Sequence, residues 1–395
     1  MTPSEQLTSL TEDIAIVQGG PAYRLGRHLG MVRPGAPRRL LKVVLLLFLT
    51  WVPLALLSLA AGRAFGDAVQ VPFIHDPEVH ARFLFVVPLL ELAEIVVAVS
   101  LATQVRHLYE MGIVPDHEKP RFRAARDQAI RLRGVWVAEG TMLVLALTMS
   151  LVSRLVLGFS EGDSSWERLG SRLTPAGWWY MLVSLPVLFF FLLRWVWVFV
   201  VWSWFLFKVS RLDLELTPTH PDRTGGLGFI GWGLASFATV LMAVSAVMSA
   251  AFADEILHRG ESLNSLKYHA IAFLVTALVV LHAPLLAFSG KLTRCRFTGL
   301  LEFGALIWRH DRAFDEKWLK RPPDARQESI LGSQDVQTLA DVAVCYEHID
   351  RMWPLPFDTK AFAVLVLAAL LPMVPLLGTA IPLHEIFMKL GELLI

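Results

Sequence analysis

Charge is scarce in this 395-residue chain. Asp, Glu, Lys and Arg make up 18% of it, against about 25% in ordinary soluble domains. The 36 basic and 35 acidic residues nearly cancel. No field of one sign therefore favours nucleic acid or an acidic partner. No basic stretch interleaved with aromatics argues for nucleic-acid binding either. Cysteine is scarcer still. Cys295 and Cys345 both fall in a loop that reads as cytoplasmic, where a disulfide is not expected. There is no CxxC and no Cys/His metal spacing, so no cofactor is expected. A nucleophile elbow, an HExxH and a nucleotide motif are also lacking. Their absence weakens an enzyme reading without excluding a membrane-embedded enzyme.

What the chain has is apolar length. Hydrophobic residues make up 55% and the mean hydropathy is +0.53. They come in blocks near the ~20 residues that cross a bilayer as helix. Only a continuous helix satisfies its own backbone polar groups in lipid. The fold class expected is therefore all-α, a polytopic bundle of seven spanning helices. The spans read as Leu40–Ala61, Phe83–Val105, Val135–Leu157, Trp178–Phe207, Leu227–Phe252, Tyr268–Ser289 and Ala361–Leu377. The first block lies behind a long polar segment, which does not suit a cleavable signal peptide, so the N-terminus is expected to be retained.

Basic residues set the orientation. They crowd the segment before the first span (Arg24 to Arg39) and the loops after the second, fourth and sixth. The alternate loops, around 67–82, 161–172 and 254–267, are poor in Lys and Arg and hold several acids. Every loop agrees with a cytoplasmic N-terminus in a cell (inner) membrane. Four regions follow: a cytoplasmic segment 1–39, a six-helix region 40–290, a helical cytoplasmic insertion 291–360, and a last span with an apolar tail, 361–395. Within the insertion, Leu300–Lys320 and Gln334–Met352 read as two helices separated by Pro322, Pro323 and Gly332, with Ser333 as N-cap. The tail Ile381–Ile395 is too short to span and reads as interfacial or folded back. Trp178, Trp179, Tyr180, Trp202 and Trp204 stand near the ends of the fourth span, where aromatic belts sit. That span is too long for a flat crossing, so it tilts or projects near Lys208.

The sharpest chemical signal is charge inside the apolar blocks. Glu91 and Glu94 share a face of the second span, one turn after Pro88, and Arg194 lies near the middle of the fourth. An isolated charge at depth costs at least about 2.5–3.5 kcal/mol on insertion scales, so such groups pair or face water. Arg194 is expected to meet Glu91, Glu94 or both. This gives either a pathway for an ion, proton or solute, or a buried ion pair that only fixes register. Glu139 and Arg154, near opposite ends of the third span, are expected to snorkel. His282, two residues before Pro284, reads either as a cavity-facing group or as a packing histidine. The junction 218–228 offers Arg223, Gly225, Gly226 and Gly228 at a helix start, where backbone N–H groups can meet an anionic headgroup or phosphate. A turn with an N-cap at Asp222 or Thr224 explains it equally well. The segment His75–His80 carries two histidines and two acids and reads as a solvated loop, with a metal or pH-sensing role as the weaker alternative.

Three functions remain open. The first is a channel or carrier, with proline-interrupted helices at Pro186 and Pro284 and assembly as a homo-oligomer among membrane lipids. The second is an enzyme acting on a lipid-linked substrate at headgroup depth, using residues such as His220, Asp222, Arg223 and Glu139. The third is a sensor or scaffold that signals through the cytoplasmic helices.

Overall fold

The computed structural model describes residues 36–155, 164–170, 172–320 and 333–380. The tail Ile381–Ile395 and the Pro322–Gly332 divider lie outside the described residues, as does most of the N-terminal segment. Among the described residues, seven helices are long and apolar enough to cross a membrane. In chain order with their neighbours, the elements are α1 (Leu40–Ala60), α2 (Pro77–Glu110), α3 (Lys119–Arg133), α4 (Trp136–Arg154), the short antiparallel strands β1 (Arg168–Leu169) and β2 (Arg172–Leu173), α5 (Pro175–Val209), α6 (Gly228–His258), α7 (Leu263–Leu319), α8 (Gln334–Asp350) and α9 (Thr359–Gly378). The chain is thus an all-α multi-pass membrane bundle.

Helices α2 and α5 run to 34 and 35 residues. At about 1.5 Å per residue, α2 and α5 each exceed the ~30 Å hydrocarbon core by roughly 20 Å. At the end of the bundle that carries α3, called here the basic end, α2 runs on to Glu110 and α5 packs against α3. The sequence suggested only basic loop there, but Lys119–Arg133 is a helix. Strong helix formers dominate it, proline stands in its first turn, and Phe122, Ala125 and Ala129 form one buried stripe. That stripe caps the projecting part of α5, where Phe122 meets Phe205 edge-on at 5.8 Å and Phe205 stacks on Trp202 at 5.4 Å. Trp202 and Tyr180 are therefore core residues with 1% exposure rather than members of an interfacial belt.

Proline leaves a matching mark on α2 and α5. A proline removes one helical N–H and crowds the carbonyl four residues earlier. Both helices relieve this with a widened turn just before it, Ala81–Val86 ahead of Pro88 and Tyr180–Ser184 ahead of Pro186. In α7, Pro284 falls in a tightened turn, Ala283–Phe288.

α7 corrects the expected boundary between the sixth span and the insertion. One helix runs through both Tyr268–Ser289 and Leu300–Phe314, where the sequence pattern predicts two. Nothing between Ser289 and Leu300 is a strong stop. Gly299 is needed for contact rather than for a turn, because a Cβ there would lie 2.8 Å from Pro218. The outer part of α7 packs against α8 as a hairpin, with Ser333 capping α8 through the N–H of Asp335 at 3.1 Å. By contrast α4 is peripheral. It buries Met142, Ala146 and Ser150 along one narrow stripe and turns most other side chains outward.

Candidate functional site

α2, α5 and α1 bring three of the candidate charges together and add a fourth. Arg194 Nη2 donates to Glu94 Oε1 at 2.9 Å. Lys42 Nζ lies 2.7 Å from Glu91 Oε2 and 3.5 Å from Glu94 Oε2. Glu139 of α4 is near enough to act electrostatically on Arg194. Of the expected partners Arg194 takes Glu94, and Lys42, which was not among the candidates, takes Glu91. Lys42 stands at the edge of the first apolar block, where a lysine reads as an interfacial anchor, so its role was not visible.

The partners also fix the depth. Lys42 and Glu139 lie within the first turn of α1 and α4. The cluster therefore sits toward the basic end of the apolar belt, although Arg194 is mid-helix in α5. It is partly accessible from outside the protein: the Lys42 side chain is 27% exposed. Glu91 is the most enclosed, at 9%, and its Oε1 is buried with no hydrogen-bond partner.

His282 does not join this cluster. Its Nδ1 lies 2.8 Å from the Leu278 carbonyl, and its ring packs at 5.6 Å against both Phe357 and Phe362. That is the packing alternative.

The glycine junction is also occupied from within. Asp222 Oδ1 accepts from the N–H groups of Thr224 (2.8 Å) and Gly226 (3.1 Å), and Oδ2 accepts from Gly228 (2.8 Å). The backbone donors offered to an outside anion are thus taken by the chain's own carboxylate. Arg223, exposed and at φ 56°, donates nothing to that nest; its carbonyl accepts from Trp353 N–H at 2.8 Å. Gly225 lies against Met352, Leu216 and Leu292. Burial would raise the Asp222 carboxyl, but the Thr224, Gly228 and Gly226 N–H groups and His220 outweigh it and hold it below the usual carboxylate range. Asp222 therefore stabilises the fold fully above its unfolded pKa near ~3.9, and that contribution fades as pH falls through its lower folded value. Asp222→Asn is expected to cost about 1–3 kcal/mol at neutral pH, because an amide offers one acceptor to three donors. Unfolding curves for the variant and the parent should converge as pH drops below ~4.

A second ionic network, not foreseen, closes the opposite end. Arg82 donates to Tyr180 Oη at 2.7 Å and pairs with Glu78 at 2.6 Å. Arg154 pairs with Glu167 at 2.9 Å, reaches Tyr180 Oη at 3.3 Å and lies 3.8 Å from Glu78. Arg154 thus turns inward instead of snorkelling. The two widened turns supply Arg82 and Tyr180, so the paired proline defects position this contact. Asp76 caps the first turn of α2 through Val79 N–H and accepts from Trp166 Nε1 at 2.8 Å. His80 is committed as well: Trp51 Nε1 donates to its Nδ1 at 3.1 Å, which leaves Nε2 to donate to the Phe73 carbonyl at 3.1 Å. Among the described residues, no group of three His, Cys, Asp or Glu is arranged to hold a metal ion. Cys295 and Cys345 are free and partly buried.

Among the described residues, these features define a multi-pass helical membrane protein with a charged cluster inside its apolar belt and an ionic network at one end. No protein-family model, curated protein or solved structure matches the chain.

Proposed function

We propose that this protein conducts or carries a proton, ion or small solute across a cell (inner) membrane, with its N-terminus and the basic end in the cytoplasm. Glu91 is the exchanging group in this reading. The observation that carries it is the Glu91 carboxylate itself: one oxygen rests on Lys42, while the other is buried without a partner. An unsatisfied carboxylate oxygen at depth is costly and is the natural seat for a proton or a partly dehydrated cation. Sidedness rests on the distribution of Lys and Arg among the loops.

The test is proton and ion flux from purified protein in liposomes. Glu91→Gln leaves the Arg194–Glu94 bond in place and is expected to cut flux roughly tenfold or more, with folding intact. Flux unchanged by this substitution would remove Glu91 from the path. No flux under any voltage, pH or ion gradient would favour the scaffold reading, which the exposed helices of the α7–α8 hairpin support. The lipid-enzyme reading is the weaker alternative, since its anion seat is filled by Asp222.

A further inference from the structure

α7 is a 57-residue helix, about 85 Å long at 1.5 Å per residue. A hydrocarbon core of ~30 Å covers less than half of that. The part beyond Ser289 carries five Lys or Arg and two Asp or Glu up to Phe314, too much charge to lie in the apolar core. Yet this part also presents Phe297, Leu301 and Trp308 outward, at 63%, 60% and 59% exposure. Their spacing of four and seven residues places them on one face. Lipid tails cannot cover them there. The same helix, inside the span, turns Tyr268, Val275 and Val279 outward, and between Leu263 and His282 it buries Leu266 alone.

We propose that α7 is the contact between copies of this chain, with the outer part of one α7 seated on the neighbour's α8. The proposal does not depend on the transport reading. Three observations select a second copy as the occupant. First, a soluble partner reaches only the outer part of the rod, and lipid covers only the inner part. A neighbour anchored in the same membrane, with the same orientation, covers both. Second, α7 beyond the span is basic, whereas α8 carries four Asp or Glu and no Lys or Arg; Asp335, Glu347 and Asp350 meet Lys317, Arg351 and Arg296 within the chain, and the exposed Asp341 is the acid α8 offers outward. Contact of α7 with α7 sets like charges together, while contact of α7 with α8 sets opposite charges together. Third, α8 has its own outward apolar residues, Val336 and Val344, to meet Leu301 and Trp308. Packing one face on a different face of the next copy closes a ring around the membrane normal.

Cross-linking tests the contact directly. In a Cys295→Ser/Cys345→Ser background, one tagged chain carries Leu301→Cys and a second, differently tagged chain carries Val344→Cys. Co-expressed in membranes and oxidised, the pair is expected to give a mixed-tag band at twice the 44.1 kDa chain mass. A Val144→Cys control on the outward face of α4 should give none. Native mass measurement in lipid nanodiscs should show several copies for the parent and mostly single chains for Leu301→Asp, with helix content unchanged. A monomeric parent would overturn the proposal. So would cross-linking between two Leu301→Cys chains without any to Val344→Cys. Protection of Leu301→Cys from aqueous thiol reagents in a monomer would show lipid headgroups as the occupant instead, and would also overturn it.

Discussion

Arg194→Met is expected to destabilise the bundle by about 3–5 kcal/mol, because it removes the guanidinium and leaves a carboxylate behind in a poorly hydrated site. Glu94 would keep only Lys42, at 3.5 Å. The reverse control separates charge from packing. In Glu94→Gln/Arg194→Gln neither side chain is charged, and two amides can still hydrogen-bond across the α2–α5 contact. The double variant should therefore recover most of the loss, a strong non-additivity in unfolding free energy. Denaturant unfolding in detergent, read on Arg194→Met and on Arg194→Gln, Glu94→Gln and their double variant, measures it. A cost below ~1 kcal/mol for Arg194→Met, the range of exposed ion pairs, would mean that water already solvates the cluster. The comparison also bears on Glu91. If the Arg194–Glu94 pair carries the stability and Glu91 does not, structure and exchange are divided between two carboxylates three residues apart on one helix.

Much of this architecture was legible because membrane insertion imposes a strong rule. A residue in lipid must be apolar, helical and part of a run near 20 residues, so each span announces itself by length alone. The seven expected spans fall on the seven helices, with α1 matched almost residue for residue. What failed lies outside the lipid, where that rule lapses. Lys119–Arg133 is too charged to register as an apolar block, yet three residues one face apart suffice to seat it on α5. The apolar run of the sixth span ends where charge begins at Lys291, but α7 continues through it because the helix packs there on α8 and on Pro218 rather than on lipid. Site residues divide the same way. Glu91, Glu94 and Arg194 are conspicuous against apolar neighbours, and their meeting was foreseeable from energetics. Lys42, Arg82 and Arg154 stand near block ends, where snorkelling is the default. Only the packing of α1, α2, α4 and α5 reveals that they turn inward. The glycine junction illustrates the opposite error: an apparent anion site on paper is a self-capped turn in space, because Asp222 is closer than any ligand.

Arg154→Met supplies the sharper test of that inward turn. Were Arg154 a snorkelling residue at the end of α4, methionine would be nearly neutral there. In the observed network Arg154 is the partner of Glu167, whose second carboxylate oxygen is buried and already unpaired. Losing the arginine leaves the whole carboxylate enclosed, at an expected cost of about 3–5 kcal/mol. Glu78 and Tyr180 suffer less, since Arg82 holds both. Arg154→Lys should restore only part of the loss. An ammonium satisfies Glu167 but lacks the planar fork that also reaches Tyr180, and it stacks less well on the Tyr180 ring, which the guanidinium overlies at 4.9 Å. Neutralising the stranded acid should help more, so Glu167→Gln is expected to stabilise the Arg154→Met background while destabilising the parent. Hydrogen exchange gives a local readout. Trp166 N–H, bonded to the Val71 carbonyl at 3.0 Å, ties the β1–β2 turn to the segment before α2, and Thr174 N–H, bonded to the Glu167 carbonyl at 2.9 Å, closes its base. Both should lose protection in Arg154→Met before the amides of α2 and α5 do. Global loss of protection without this order would place Arg154 in the stability of the whole bundle rather than in the closure of one end.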